Sequence, residues 1–241
     1  MRKVYPVPAL ACCLFVLSGC HAGSGNASPA SSPRSNTASA QATTLSQVTT
    51  YNLAPESDHR TLLVCFGDSL TAGAGTGPGE SYPDYLQSDL DRLHIHYRVD
   101  NQGVSGDTTK DGVARLPEVL ALHPAVVVVE FGGNDGLRGL PIADTRANLD
   151  QIVATLQHAG IQVALAGITL PPDYGHDYIR QFNQTYTLLA RKYRVPLLSF
   201  LLKNVYGVPG MMQSDRTHAT AKGNQVVARN ILALILPLLK K

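Results

Sequence analysis

The sequence predicts an α/β fold, a three-layer α/β/α sandwich in which a five-stranded parallel sheet in flavodoxin-like order lies between helices. Three observations predict it. Strand-like apolar runs alternate with helix-like stretches along the chain. Several runs are continuously apolar, as in parallel strands that are buried on both faces. The polar motifs follow predicted strands or precede the last helix, so such a sheet would gather them at its carboxyl edge.

Five segments have the length and character of strands. They are residues 62–66, 97–101, 125–131, 161–168 and 197–201. The second has the weakest strand pattern, and the third is the most apolar. We expect right-handed crossovers between them.

The best predicted helix covers residues 144–159, with Asp144 as its N-cap and Gly160 as its stop. Its apolar residues recur at helical spacing, at Leu149, Ile152, Val153 and Leu156.

Two further helices are predicted towards the end of the chain. The first is indicated by an apolar stripe of Phe182, Leu189 and Tyr193 that ends before Pro196. The last begins near Ala221 and is broken by Pro237.

The first residues are typical of a secretory signal that ends in a lipoprotein box. Two basic residues precede an apolar run over 7–17 and then Leu17-Ser18-Gly19-Cys20. We expect residues 1–19 to be removed and Cys20 to be lipidated, with a retained membrane anchor as the alternative. Because His21 is not Asp, the expected location is the outer membrane, facing the periplasm.

Residues 20–60 are rich in Ser, Ala and Thr, which predicts a disordered tether after the lipidated cysteine. Residues 61–241 then form one domain with its own core. Loss of the signal would remove two basic residues and no acid, leaving equal numbers of acidic and basic residues. This balance gives no indication of nucleic acid as a partner. Cys65, inside an apolar strand, is expected to be buried and inert.

Ser69 lies in Gly67-Asp68-Ser69-Leu70, directly after the first predicted strand. The turn can open a helix with the serine exposed at its N-terminus, so that the Ser69 backbone amide points at the oxygen of a bound acyl group. The alternative is that Ser69 is a plain N-cap.

His218 follows Asp215 by three residues, near the start of the last helix. At that spacing the carboxylate can bond the imidazole Nδ1, leaving Nε2 free to take the Ser69 proton. The alternative reading makes Asp215 a helix N-terminal acid and His218 a bystander.

Asn134 sits in Gly132-Gly133-Asn134-Asp135 after the most apolar strand, where its amide could donate to an oxyanion. Gly106 could supply another donor through its backbone amide. We expect Asp107 to be the N-cap of the next helix and Asp135 to be a local cap. A nucleophile, oxyanion donors and a base in this order indicate a serine esterase.

Other polar residues have weaker claims. His94 and His96 could share a strand face, but no third ligand is patterned nearby, so we expect no metal site. Glu130 ends the central strand and is expected to accept local hydrogen bonds behind the site, although it could instead compete with Asp215 for a histidine.

These motifs resemble those of the GDSL, or SGNH, hydrolases, most closely the bacterial multifunctional esterases described as thioesterase, lysophospholipase and arylesterase. The resemblance covers residues 62–236 and implies that fold, with no cofactor. It implies Ser69 as nucleophile, Asp215 and His218 as the orienting acid and base, and Ser69, Gly106 and Asn134 as the oxyanion hole. The family usually has Pro after the histidine, where this chain has Ala219.

The resemblance implies small-molecule esters as substrates, and a lysophospholipid fits the expected membrane tether. Because acyl-CoA is a cytoplasmic metabolite, we expect thioesterase activity to be incidental. Segments 137–142 and 170–178 are expected to select the acyl chain. The alternatives are a polysaccharide acetylesterase and a non-catalytic envelope lipoprotein.

Overall fold

The structure, a computed structural model, describes residues 58–239. The predicted signal peptide 1–19, the lipidation site Cys20 and residues 20–57 of the predicted tether lie outside the described residues. Among the residues described, no helix is both long enough and apolar enough to cross a membrane.

A five-stranded parallel sheet forms the centre of the described region. Its strand order is β2-β1-β3-β4-β5, the predicted flavodoxin-like order. The strands are β1 (Thr61–Gly67), β2 (Tyr97–Gly103), β3 (Val126–Glu130), β4 (Gln162–Ala166) and β5 (Leu197–Leu198).

Helices connect the strands and cover the sheet. They are α1 (Ser69–Ala72), α2 (Tyr82–Arg92), α3 (Thr109–Ala121), α4 (Gly133–Leu137), α5 (Ile142–His158), α6 (His176–Tyr193) and α7 (Ala221–Ile235), with 3₁₀ turns at Pro172–Tyr174 and Leu236–Leu238. Helix α2 packs against α7, while α5 packs against both α3 and α6. The predicted α/β sandwich is confirmed.

The core lies around the two central strands. Every residue of β3 is buried, and so are residues 62–67 of β1. Strands with both faces covered by helices have no polar face, which explains their continuous apolar runs. The site lies where β1 and β3 end, since Gly67 is paired with Glu130 at the carboxyl edge of the sheet.

The start of α5 differs from the predicted one. Helix α5 begins at Ile142 after Pro141, so Asp144 lies in the first turn and the prediction that it is the N-cap is wrong. Proline favours this start because its fixed φ suits a helix entry. Gly160 does follow the helix, at φ 77°.

The last strand is shorter than expected. It ends at Leu198, whereas the prediction extended it to 201, because the chain turns after Ser199 and buries Leu201 and Leu202 outside the sheet. Helix α7 ends at Ile235, before Pro237, as predicted.

Candidate active site

Ser69 is the first residue of α1, directly after the turn that ends β1. Asp68 is the N-cap of this helix, and its Oδ1 accepts a hydrogen bond of 3.0 Å from the Leu70 amide. The helix closes after one turn at Gly73, which has a positive φ of 77°. The turn therefore presents the Ser69 hydroxyl at the carboxyl edge of the sheet.

His218 reaches Ser69 from a loop that precedes α7. The Ser69 Oγ lies 2.9 Å from His218 Nε2, and His218 Nδ1 lies 2.7 Å from Asp215 Oδ2. The other Asp215 oxygen accepts the backbone amides of Thr217 and His218, at 2.9 and 3.0 Å. Three side chains that sequence reasoning singled out thus form one continuous hydrogen-bonded chain.

Asp215 is held as a carboxylate. Partial burial opposes its ionisation, but hydrogen bonds from the His218 ring and from the backbone amides of His218 and Thr217 outweigh it. Together they lower the pKa of Asp215 to about 2. A fixed carboxylate at Nδ1 favours the tautomer whose Nε2 can accept a proton from Ser69.

Asn134 lies in the first turn of α4 and lines the same cavity as Ser69. Its Nδ2 donates to Asp107 O at 2.8 Å and to Asp68 Oδ2 at 3.2 Å. The preceding Gly132 has φ 117°, and a Cβ there would collide with the Tyr186 hydroxyl, so only glycine permits this turn.

Gly106 lies in the turn between β2 and α3, at φ 90°. Its carbonyl accepts a hydrogen bond of 2.8 Å from Arg138 Nη2, which ties this turn to the end of α4. The turn also carries Asp107, whose backbone oxygen accepts from Asn134 Nδ2, so Gly106 is the direct chain neighbour of a residue that bonds Asn134.

Two predicted caps are wrong. Thr108, not Asp107, caps α3 through a capping box with Asp111, and Asp107 instead binds the Arg115 guanidinium at 2.7 Å. Asp135 does not cap its own helix either, since its carboxylate accepts the backbone amide of Thr109 at 2.9 Å, in the first turn of α3. Asp135 bonds the first turn of α3 instead of its own helix, and Asp107 pairs with a guanidinium two turns further along α3.

Glu130 lies behind the site, as expected. It is completely buried, and its Oε2 accepts from Thr71 Oγ1 at 2.8 Å and from the Asp68 amide at 3.4 Å. Cys65 is also buried, and desolvation raises the pKa of its thiol to about 12. His94 and His96 lie between α2 and β2 rather than on a strand.

A groove of about 450 Å³ opens beside Ser69 and His218. The predicted segments contribute Leu137 and residues 170–172. Sequence reasoning missed the rest of the wall, which comprises Ile168, Thr169, Phe200, Leu202, Tyr206, Arg216 and Thr217.

Gln213 is a further residue that sequence reasoning missed. Its Nε2 donates to Ala74 O and to Ala219 O, each at 2.8 Å. It thereby ties the histidine loop to the segment that follows α1, and so fixes His218 against Ser69. Its only sequence signal is its place within the segment between β5 and α7.

Known proteins share this architecture and these motifs. Residues 65–226 match the model of the GDSL-like lipase/acylhydrolase family. The chain is 41% identical over 181 residues to the esterase TesA of Pseudomonas aeruginosa, covering 75% of this chain and 90% of that protein. A protein of Escherichia coli K12 named thioesterase 1/protease 1/lysophospholipase L1 is 38% identical over 177 residues, covering 73% of this chain and 84% of that protein.

Solved structures agree with the sequence relatives. The crystal structure of TesA superposes with a TM-score of 0.71 at 41% identity, covering 75% of this chain and all of that one. The sequence match, the sheet order and the shared fold all lead to one assignment: this chain belongs to the GDSL-like lipase/acylhydrolase family and is a carboxylic ester hydrolase.

Proposed function

We propose that Ser69, His218 and Asp215 carry out ester hydrolysis through an acyl-serine intermediate. The single observation that supports this most strongly is the unbroken chain of contacts, 2.9 Å from Ser69 Oγ to His218 Nε2 and 2.7 Å from Nδ1 to Asp215. Both distances are those of good hydrogen bonds between a nucleophile and its base, and between the base and its orienting acid.

The reaction proceeds in two acyl transfers. His218 Nε2 takes the Ser69 proton as Oγ attacks the ester carbon, and then gives that proton to the alcohol oxygen as the ester C–O bond breaks. Water next attacks the acyl-serine and transfers a proton to His218. That proton returns to Ser69 Oγ as the carboxylic acid leaves, so the enzyme is regenerated.

The oxyanion of each tetrahedral intermediate is stabilised by hydrogen-bond donors from three separate segments. The proposed donors are the backbone amides of Ser69 and Gly106 and the Nδ2 of Asn134. Their support is positional: α1, the β2–α3 turn and α4 all begin where parallel strands end, at the carboxyl edge of the sheet.

The groove favours an ester with an apolar acyl chain. Leucine, isoleucine, proline and aromatic side chains make up most of its wall, and Arg216 adds a permanent positive charge beside His218. We propose arylesters and lysophospholipids as the substrate class, since Arg216 suits the phosphate of a lysophospholipid. Thioesterase activity is an incidental property of the same site.

The N-terminal sequence supports a place in the cell envelope. The proposed mature protein begins at lipidated Cys20 and is held at the periplasmic face of the outer membrane by the tether 20–60. Incorporation of radiolabelled palmitate tests this anchor. We expect the wild-type protein to be labelled and the Cys20→Ser variant to remain unlabelled. Labelling of both proteins, or of neither, contradicts the anchor.

A fluorophosphonate probe and a 4-nitrophenyl butyrate assay test the proposed nucleophile. The wild-type enzyme should be labelled and active, whereas Ser69→Ala should be unlabelled and lower kcat about 10⁶-fold. Ser88→Ala is the matched control, because Ser88 lies on the exposed face of α2 and bonds only its own helix among the contacts described. Unlabelled wild-type protein would indicate the non-catalytic lipoprotein, and an active Ser69→Ala would refute the nucleophile.

Chain-length preference tests the substrate class. A series of 4-nitrophenyl esters from acetyl to palmitoyl should show the highest kcat/KM at chains longer than acetyl, because only these fill the apolar groove. Strong selectivity for acetyl would instead favour the polysaccharide acetylesterase.

A further inference from the structure

Two buried carboxyl groups, Asp68 and Glu130, lie directly beneath the nucleophile turn. Asp68 is 2% exposed and Glu130 is 0% exposed. They come from neighbouring strands, because Asp68 follows the end of β1 and Glu130 ends β3. The mechanism above uses neither group, although buried carboxyl groups are costly unless they are paired.

The contacts of this pair distinguish the two acids. Both Asp68 oxygens accept hydrogen bonds, Oδ1 from the Leu70 amide and Oδ2 from Asn134 Nδ2. Glu130 Oε2 accepts from Thr71 Oγ1 and, at 3.4 Å, from the Asp68 amide. Glu130 Oε1 is buried, and no donor among the described residues bonds it. The side chains of Glu130 and Asp68 nevertheless interact through a hydrogen bond, which two acids can form only if one of them carries a proton.

The directions of the two pKa shifts agree with a protonated Glu130 and a charged Asp68. Burial, and then the charge of Asp68, raise the pKa of Glu130 well above its ordinary value. Burial also raises the pKa of Asp68, but the hydrogen bond from the Leu70 amide, and then that between the two carboxyl groups, oppose this rise. Two adjoining carboxylates cannot both be charged in a dry site, so Glu130 holds the proton and donates to Asp68.

The neighbouring titratable groups do not change the assignment of the proton to Glu130. Burial raises the pKa of both Tyr82 and Tyr186 well above the ordinary value, so both phenols stay neutral. The other titratable or charged groups near the pair are the buried thiol of Cys65, the carboxyl of Asp135, the imidazole of His218 and the guanidinium of Arg115, which pairs with Asp107.

The pair controls an oxyanion donor through Asn134. The amide Nδ2 carries two hydrogens, and the structure gives one to Asp107 O at 2.8 Å and the other to Asp68 Oδ2 at 3.2 Å. An oxyanion in the groove has to share one of them, and the longer bond to Asp68 is the weaker competitor. A hydrogen bond from Glu130 draws negative charge from Asp68, which weakens its hold on that hydrogen.

We propose that Glu130 is a positioning residue that acts as a neutral acid. It fixes the Asp68 carboxylate beneath the nucleophile turn and leaves the Asn134 amide able to bind the oxyanion. The inference rests on the proposed function, since the oxyanion arises only if Ser69 is acylated. It adds a residue that touches no substrate and acts through Asp68.

Kinetics of two substitutions test the proposal with 4-nitrophenyl butyrate. Glu130→Ala should lower kcat about 10- to 100-fold with little change in KM, because it removes a hydrogen bond behind the site. Glu130→Gln should restore kcat to within about threefold of wild type, because a neutral amide can donate to Asp68 and accept from Thr71. Val128→Ala, a buried truncation two residues earlier on β3, is the matched control and should keep kcat unchanged.

An infrared spectrum gives a readout that a merely structural role would not move. The carbonyl stretch of a protonated carboxylic acid should be present at neutral pH in wild type and absent from Glu130→Gln. This measurement also decides the matter if Glu130→Ala does not fold.

Three results would overturn the proposal: a Glu130→Gln enzyme as slow as Glu130→Ala, a Glu130→Ala enzyme as fast as wild type, or no protonated-acid band. An inactive wild-type enzyme, or an active Ser69→Ala, would instead contradict the proposed function. The infrared band would still report on the pair.

Discussion

The rim of the site, residues 213–218, and its floor, formed by Asp68, Thr71 and Glu130, each hold an aspartate next to the same serine. On the rim, Asp215 has a side chain that is 46% exposed and a pKa lowered to about 2. On the floor, Asp68 is 2% exposed and burial raises its pKa. The residue type is the same, so the partners and the access of water determine what each carboxyl group does.

The partners differ in kind. The rim offers Asp215 an imidazole that becomes a cation during catalysis, together with two backbone amides. The floor offers Asp68 a second acid, which has to remain protonated to be tolerated. The rim can therefore stabilise a charge that develops in the reaction, whereas the floor fixes geometry.

Removing the negative charge of Asp215 from the rim should have the largest effect on kcat. Asp215→Asn keeps the shape of the side chain but favours the wrong tautomer of His218, so kcat should fall about 10⁴-fold. Steady-state hydrolysis of 4-nitrophenyl butyrate measures it. Asp177→Asn is the matched control, since that exposed aspartate lies in the first turn of α6. A loss below tenfold would show that the rim only positions His218.

Removing the side-chain amide of Asn134, which contacts the floor, should have the next largest effect on kcat. Asn134 donates to the Asp68 carboxylate on the floor and is proposed to donate to the oxyanion above it. Asn134→Ala should lower kcat about 10² to 10³-fold with little change in KM. Asn230→Ala, which removes a surface amide bonded to Lys203 O, is the control. A rise in KM with unchanged kcat would mean that Asn134 binds the substrate ground state instead.

The rim was far easier to predict from the sequence than the floor. Asp215 and His218 lie three residues apart, and the loop closes with its own backbone amides, so local spacing carries the information. Thr71 and Glu130 lie 59 residues apart and meet only because β1 and β3 are neighbours. No periodicity signals that pairing. Gln213 and Phe200 were missed for the same reason.

The fold, like the site, was predictable where local sequence patterns determine it and not elsewhere. The continuous apolar runs predict a parallel sheet, because both faces of the central strands are buried. The strand order was predicted from the topology rules for such α/β sandwiches, and the structure has that order. Helix starts were predicted less well. Helix α3 begins with a local capping box of Thr108 and Asp111 that the prediction passed over in favour of Asp107, which pairs with Arg115 instead. Asp135 bonds the first turn of α3 across 26 residues, a tertiary contact that local capping rules cannot show.

Adding a side-chain atom at Gly67, next to the floor, should lower the stability of the fold. A Cβ on Gly67 would collide with the Thr71 hydroxyl, the Glu130 backbone carbonyl and the Glu130 carboxyl. Gly67→Ala should therefore lower the free energy of unfolding by about 1–3 kcal/mol. Urea denaturation measures it, with exposed Gly77→Ala as the control, where a new Cβ meets only the flexible end of Glu80. Equal effects of the two substitutions would mean that the floor has room to adjust.

The most gradual expected effect is an opposite response of the stability of rim and floor to pH. The pKa of Asp215 is lowered in the folded state, so its contribution to stability is present above its ordinary pKa of 3.8 and is lost as the pH falls through about 2. The pKa of Glu130 is raised, so its contribution is present below its ordinary pKa of 4.5 and is lost as the pH rises. Acid thus weakens the rim and favours the floor.

Urea denaturation of wild type, Asp215→Asn and Glu130→Gln across pH separates the two regions. Relative to wild type, Glu130→Gln should gain stability from about pH 4.5 upward, by at most about 1.4 kcal/mol per pH unit, because its amide never ionises. Asp215→Asn should differ from wild type by a constant amount above pH 4 and converge with it towards pH 2. A constant difference between Glu130→Gln and wild type at every pH would show that Glu130 has an unshifted pKa. Glu130 would then be ionised at neutral pH, as Asp215 is, and a charged acid would lie under the nucleophile.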